Sequence, residues 1–453
     1  MDTHGEKTGI FAQKGLWIGI GTGLFILIAF ILPTPQSLVD VMEKYGYVQK
    51  MIDWEIAHNA KDAAAKTMIV LGIVPMAVVF FAVEALPIGV TGILMPTMAY
   101  FFGLLPFNMI GKTFAGDAPM FMLGVFALGS TVVEVDFHKR LAVWLLGWTK
   151  GFWLPMIVLC LSMSIVGSFM SAPAMCSFMV PVMMAVYYGS VKAASPEGKV
   201  VHDPTLAKYL LFSLCFALNM GGPGTPSAGG RNVIMMGFFT EYDIPITYSG
   251  WMQYGWPLVP LGSSLLLLYM ATFFSKKIKT RDLTPGLQHI KEETRRMGKM
   301  KYPEYVTAGT LFLIVALWIF GGEATGLGGP ALLALVIPVL FKTVTFEQII
   351  ERISFNAWFM YCGALTLGAL LKESGGALWL ATTFLNGLSH IGMDKGLGLW
   401  IGMSSFSGLV TNFMSDAATV ALIGPIVVPM GIMTEVAGEP WAIGMAVALA
   451  SSY

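Results

Sequence analysis

Charge is scarce in this chain. Asp, Glu, Lys and Arg together make up 12% of the 453 residues, against 56% apolar residues, and mean hydropathy is +0.71. That balance lies outside the range of soluble globular domains, so water is not the chain's main solvent. Net charge is zero, which gives no overall attraction for nucleic acid. Histidine is equally rare. His4, His58, His138, His202, His289 and His390 all lie outside the central apolar runs or at their ends, and no HExxH pattern occurs. An intramembrane enzyme needs a histidine, a metal cluster or an activated nucleophile at bilayer depth, so little catalytic chemistry is on offer. The four cysteines (Cys160, Cys176, Cys215, Cys362) fall inside apolar segments, where small thiols are common, and imply no disulfide framework. The 31 methionines read as lipid-facing or core filler, not metal ligands. No small-residue cleavage site separates the first apolar run from Pro33, so that run is expected to be a membrane helix and not a cleaved signal.

What is abundant is long apolar sequence. Runs recur from Leu16 to Leu32, Met68 to Phe81, Pro87 to Leu105, Phe152 to Ile165, Ser177 to Tyr188, Tyr209 to Asn219, Trp256 to Phe274, Val306 to Phe320, Pro330 to Phe341 and Trp400 to Met430. A crossing takes roughly 20 apolar residues, so about ten to twelve crossings or part-crossings fit. The expected class is an all-α polytopic protein of a bacterial or archaeal inner membrane, with lipids as its surroundings. Nine of the 27 basic residues lie between Lys276 and Lys301. The positive-inside rule makes that loop cytoplasmic; a polybasic patch for lipid or nucleotide is the alternative reading.

The chain also repeats itself. GSFMSAPAMCSFMVPV (Gly167 to Val182) aligns without gaps to TNFMSDAATVALIGPI (Thr411 to Ile426), with identities at Phe169/Phe413, Met170/Met414, Ser171/Ser415, Ala174/Ala418 and Pro181/Pro425. Upstream, GVFALG (Gly124 to Gly129) pairs with GALTLG (Gly363 to Gly368). Two pairs in one order imply a duplicated unit, expected as inverted repeats. In each long pair an apolar helix is interrupted by small and polar residues, at Ser171-Ala172-Pro173 and Ser415-Asp416-Ala417. At membrane depth, unpaired backbone groups cost several kcal/mol each unless they line a wet or ligand-filled cavity. Both breaks are therefore expected to face a binding site, where half-helix N-termini favour anions and freed carbonyls suit sodium. Paired breaks fit a carrier with a closed midplane site better than a continuous channel.

Between the copies lies NMGGPGTPSAGGRN (Asn219 to Asn232). Its glycines permit close backbone approach to a ligand, and without Gly-Lys-Ser/Thr it is not a nucleotide P-loop. Within it Arg231 is a charge flanked by apolar helices, which needs an anion: a forked substrate carboxylate or sulfate, or a structural partner such as Asp416, unless it sits at the interface. Asp416 has three possible roles: sodium ligand, proton carrier, or counter-charge for Arg231. Ser171 and Ser415 read either as site hydroxyls or as helix-internal groups bonded to the preceding turn.

These segments resemble the divalent anion:sodium symporter family, whose members carry dicarboxylates, citrate or sulfate. EALPIGVTGILMPTMAYFFGLLP (Glu84 to Pro106) looks like the start of the family's third helix, His138-Lys139-Arg140 like the start of its amphipathic helix, and Gly221 to Asn232 like its glycine loop. The family's two Ser-Asn-Thr motifs become Ser171-Ala172-Pro173 and Ser415-Asp416-Ala417, and its GTPP segment becomes Ala228-Gly229-Gly230-Arg231. The resemblance implies a homodimer working as an elevator, with scaffold helices at 1–106 and 246–345, the latter carrying the basic loop at 276–301. It implies re-entrant hairpins at 107–136 and 346–374, amphipathic connecting helices at 137–152 and 375–394, and transport segments at 153–245 and 395–453. It implies Ser171, Thr225, Asn232 and Ser415 at substrate or ion, joined by Arg231 and Asp416. The candidate sodium ligands are Ser171, Gly222, Thr411 and Asp416, with Gly167 as the first-copy counterpart of Thr411. Na+ is the coupling ion so implied, with proton coupling or anion exchange as alternatives, and no further cofactor. A second glycine loop and last helix would follow Ala450 to Tyr453.

Overall fold

The computed structural model describes residues 13–170, 172–196, 200–296, 298–434 and 439–452. Among these the chain is helical throughout, with no strand. In hydrocarbon an α-helix satisfies every backbone group within its own segment, so an apolar chain of this length folds as helices. Among the described residues six helical stretches are long and apolar enough to cross a membrane: Lys14–Ile31, Ala60–Ala82, Phe107–Glu134, Tyr248–Lys277, Tyr302–Phe320 and Asp416–Thr434. Ile88–Phe101, Trp153–Gly167, Gly328–Leu340 and Gly396–Val410 are shorter apolar helices. The protein is thus a multi-pass integral membrane protein. Exposed rings point the same way. Phe101 and Phe320 are each 86% exposed, an arrangement that suits lipid and not water.

Two compact units make up the chain. The first joins residues 1–119, 233–246 and 354–451. Asn59 and Ser354 start two of its helices by accepting the Asp62 and Ala357 amides, satisfying donors that a helix start leaves free. Its tightest seam runs between Ile88–Phe101 and Phe355–Glu373. Gly92 lies against the backbone of Phe359 and Met360, Gly89 against Asn356, and Gly363 against Gly92. Small residues let two membrane helices approach backbone to backbone. A Cβ at 92 would meet the Phe359 carbonyl, an atom that cannot swing aside. Gly92→Val should therefore lower stability by about 1–3 kcal/mol, the usual cost of overpacking, read as a lower melting temperature in detergent. The same substitution at Gly19, where nothing lies within 4 Å, should change little.

The second unit joins residues 120–232, 247–353 and the end of the chain. Its core runs through Leu159, Met163, Met183, Tyr209, Leu214, Leu218 and Met270. Trp318 stacks on Tyr248 at 5.0 Å and meets Phe121 edge-on at 5.0 Å. Gly124 packs on the backbone of Ala331, so both members of the Gly124/Gly363 sequence pair are points of close helix contact within their own units.

The segments expected as hairpins are Phe107–Ala115 followed by Asp117–Glu134, with a gap of one residue at Gly116, and Phe346–Arg352 followed by Phe355–Glu373. The expected connecting helices contain Phe137–Leu146 and Gly376–Ser389.

Candidate functional site

Both serine-bearing segments are broken. Trp153–Gly167 ends, residues 168–170 form a turn, and Ala172–Ala194 begins. In the second copy Gly396–Val410 ends, 411–415 form a turn, and Asp416–Thr434 begins. The sequence placed each break a residue or two too late: Ala172, Asp416 and Ala417 already belong to the following helices. Ser171 lies outside the described residues.

A third helix follows in each copy, Pro204–Gly221 in the first and Ala442–Ala450 in the second. Hydroxyls tie it to the first helix in both. Ser164 donates to the Ala217 carbonyl at 2.7 Å and Ser168 to the Gly221 carbonyl at 3.0 Å. Ser407 donates to the Val447 carbonyl at 2.9 Å and Thr411 to the Ser451 carbonyl at 3.3 Å. Donors four apart meet acceptors four apart each time, the spacing of one helical face. This corrects the alignment by one residue: the counterpart of Thr411 is Ser168 and not Gly167. A hydroxyl is therefore kept at that place in both copies. Gly167 instead gives close approach to Leu218, whose carbonyl lies 2.7 Å from where a Cβ would stand.

Ser164 carries more than its counterpart. Its hydroxyl also lies 2.8 Å from the Cys160 carbonyl and accepts from Ser263 at 2.7 Å. Ser164→Ala should cost about 0.6–1.7 kcal/mol, the range for hydroxyl bonds between membrane helices, and Ser407→Ala should cost less. Melting of the two variants in one detergent measures this.

The glycine loop leaves the first triplet at Gly221. Residues 221 to 228 are all buried. Gly224 N–H donates to the Gly221 carbonyl at 2.9 Å, and Pro226–Ala228 make one 3₁₀ turn before the Gly230–Glu241 helix. Thr225 donates its hydroxyl to the Ser168 carbonyl, anchoring loop to break, and lies 3.0 Å from Ser227, which lies 2.8 Å from the Tyr248 hydroxyl. Asn232 clamps the loop shut: its amide nitrogen donates to the carbonyls of Gly222 and Thr225, both at 2.8 Å. Its side-chain oxygen is fully buried and has no hydrogen-bond partner among the described residues. A buried amide oxygen left without a donor is costly, and it marks a place where a ligand hydroxyl or a cation fits.

Arg231 is 6% exposed. Its guanidinium occupies the space a side chain at 222 would need and lies 3.2 Å from the Cβ position of Gly229. The glycines are thus the seat of the arginine. It also stands in the first turn of the Gly230–Glu241 helix, where the macrodipole already favours negative charge. Cation and helix start together make this place attract an anion. Gly222, expected as a sodium ligand, has its carbonyl engaged by Asn232.

In the first unit, Ser415 acts as a helix start. Its Oγ accepts the Ala418 amide at 3.2 Å, and Asp416 Oδ1 accepts the Ala417 amide at 2.7 Å. A carboxylate in the first helical turn is favoured by the dipole, and Asp416 is half-buried there. Thr411, Ser415 and Asp416 thus fall in one five-residue break and the turn after it. Sequence reasoning missed Ser164, Ser168, Ser227, Tyr248 and Ser407. The serine pairs at i and i+4 ahead of each break were the available signal; nothing local marked Tyr248.

A multi-pass helical protein with polar helix breaks and a buried cation seated in a glycine loop belongs to the class of secondary anion transporters. Comparison with known sequences narrows this. The sequence pattern of the citrate transporter family matches residues 78–450, and the chain belongs to that family. It is a divergent member of the divalent anion:sodium symporters, similar at 23% identity over 429 residues (83% of this chain, 73% of the relative) to the sodium-dependent high-affinity dicarboxylate transporter 3 of Caenorhabditis elegans. It is 22% identical over 402 residues (83% and 75%) to the sodium-dependent dicarboxylate transporter SdcS of Staphylococcus aureus. To an uncharacterized transporter of Haemophilus influenzae it is 24% identical over 375 residues (79% and 75%). These are names of transporters, not enzymes.

Proposed function

We propose that this protein is a sodium-coupled symporter of a small di- or tricarboxylate, working as a homodimer of elevator type with inverted repeats in a bacterial or archaeal inner membrane. The observation that carries this reading is the buried Arg231 guanidinium held over Gly222, together with the next residue's side-chain oxygen, that of Asn232, which has no hydrogen-bond partner among the described residues. A planar fork of donors suits a carboxylate, and the Asn232 oxygen suits a substrate hydroxyl, such as that of a hydroxy di- or tricarboxylate. Thr225 holds the loop against the first break, and Ser171 is assigned to substrate on its place in the repeat. In the other copy Thr411, Ser415 and Asp416 offer hard oxygens of the kind that bind Na+, and names of relatives include the words sodium-dependent.

The elevator reading adopts the scaffold and transport segments set out from the sequence. Its support is the matched order of helix, break, helix and tied third helix in the two copies. The test is uptake of radiolabelled succinate and citrate into proteoliposomes with an inward sodium gradient, a proton gradient, or neither. Accumulation that follows sodium supports the proposal; accumulation driven only by protons transfers the coupling to Asp416 as a proton carrier. Exchange with internal substrate alone would replace symport by antiport, and no uptake of any carboxylate would overturn the substrate class. Asn232→Asp should weaken substrate by roughly a hundredfold, because it sets a negative charge where an anion docks and such clashes cost a few kcal/mol; titration of uptake measures it.

A further inference from the structure

We propose that residues 276–301 form a fixed docking surface for anionic phospholipid of the cytoplasmic leaflet. Three observations carry this, and none depends on which anion is transported. First, the segment lies at the membrane face. It begins three residues after Leu258–Phe273 ends and leads directly into Tyr302–Phe320, and Tyr269, Phe273, Tyr302 and Tyr305 at those helix ends are all more than half exposed. Exposed aromatic side chains of this kind sit at the headgroup level.

Second, the segment is held by its backbone and apolar side chains, which leaves its basic groups for an outside partner. Buried Asp203 accepts the Lys279 and Thr280 amides at 2.8 and 3.1 Å, and Gly151 accepts the Leu283 amide at 3.0 Å. Leu283 and Leu287 enter the core of the second unit. Gly286 crosses Gly189 so closely that a Cβ at 189 would stand 2.7 Å from the Gly286 Cα. Arg140 donates to the carbonyls of Gly298 and Lys299 at 2.8 and 3.0 Å, closing the far end. Third, eight exposed basic residues with described side chains face only two exposed acids, Asp282 and Glu292. Asp282 accepts the Thr284 amide at 2.9 Å. Among the described residues no ion pair engages Lys276, Lys277, Lys279, Lys291, Arg295 or Lys299. A free nucleotide or phosphate needs a concave cradle, whereas a row of basic side chains beside a membrane span matches a plane of headgroups. Each such residue near an anionic surface contributes about a fivefold factor in binding. Lys291 and Arg295 ride on the Thr284–Arg296 helix, which packs against Ala172–Ala194, the helix that follows the first break, so bound lipid acts on the position of that helix.

The experiment uses the full chain in a neutral detergent, with phosphatidylglycerol, phosphatidylcholine and inorganic phosphate as separate additions. Retained lipid is counted by native mass spectrometry and the melting temperature is recorded alongside. The wild type should retain phosphatidylglycerol over phosphatidylcholine by tenfold or more, weakening several-fold as salt is raised. A variant carrying Lys276→Gln, Lys277→Gln, Lys279→Gln and Lys291→Gln should lose that preference while melting in detergent alone like the wild type. A matching set of Lys→Arg changes should keep it. Equal retention of the two lipids by the wild type would overturn the proposal. So would an undiminished preference in the glutamine variant, or stabilisation by inorganic phosphate equal to that by phosphatidylglycerol.

Discussion

Arg231→Ala should abolish carboxylate uptake at concentrations that saturate the wild type. The side chain is buried, its charge stands at a helix start, and its guanidinium is seated on glycines at 222 and 229. Truncating one member of a buried, hydrogen-bonded charge pair costs about 2–5 kcal/mol, which is a thirtyfold to several-thousandfold loss in affinity. Arg231→Lys separates charge from shape. Lysine keeps the positive charge but presents a point donor in place of a planar fork, so affinity should fall by roughly tenfold with uptake still measurable. Wild-type affinity in the lysine variant would show that only charge matters, and wild-type affinity in the alanine variant would remove Arg231 from the site. Melting of each purified variant shows whether the loop has kept its fold. A third change, Gly222→Ala, should act chiefly through Arg231: a methyl group there takes the place of the guanidinium and also presses on the Asn219 carbonyl, so affinity should fall much as in truncation, with some loss of melting temperature.

The second large effect belongs to Asp416. Asp416→Asn should leave the helix start intact, because the amide oxygen can still accept from Ala417 as Oδ1 does now. What it removes is one negative charge from the helical turn that follows a break holding Thr411 and Ser415. A hard monovalent cation bound by hydroxyls, carbonyls and one carboxylate depends strongly on that carboxylate. The sodium concentration needed for half-maximal uptake should rise by about tenfold or more, in line with a loss of 1–3 kcal/mol for one charge-assisted contact. Coupling unchanged in the asparagine variant would exclude the residue from ion binding. Thr411→Val tests the same break from the other side. It removes the hydroxyl that reaches the Ser451 carbonyl, so it should weaken sodium and lower the melting temperature together, whereas Asp416→Asn should affect sodium only.

Much of this was legible in the chain itself. The lack of charge made the bilayer the solvent, and in hydrocarbon a backbone must satisfy itself, which leaves helices. The two copies could be read because Phe169-Met170-Ser171 and Phe413-Met414-Ser415 keep identical letters. The glycine loop stood out because five glycines in a row of fourteen residues are hard to reconcile with an ordinary membrane helix.

What the sequence by itself determined, then, was solvent and helical class, since both depend on composition and on spacing along the chain; the paired segments and the arginine among glycines stood in it as letters whose roles spacing alone does not fix. Tertiary structure decided which atoms meet. Ser168, and not Gly167, answers Thr411, because hydrogen bonds follow the helical face and not the ungapped alignment. Tyr248 reaches Ser227, Asn232 closes the loop over Gly222 and Thr225, and Arg231 rests where Gly222 has no side chain. Those contacts link residues whose positions in space depend on how helices pack, and packing depends on every side chain in the seam at once.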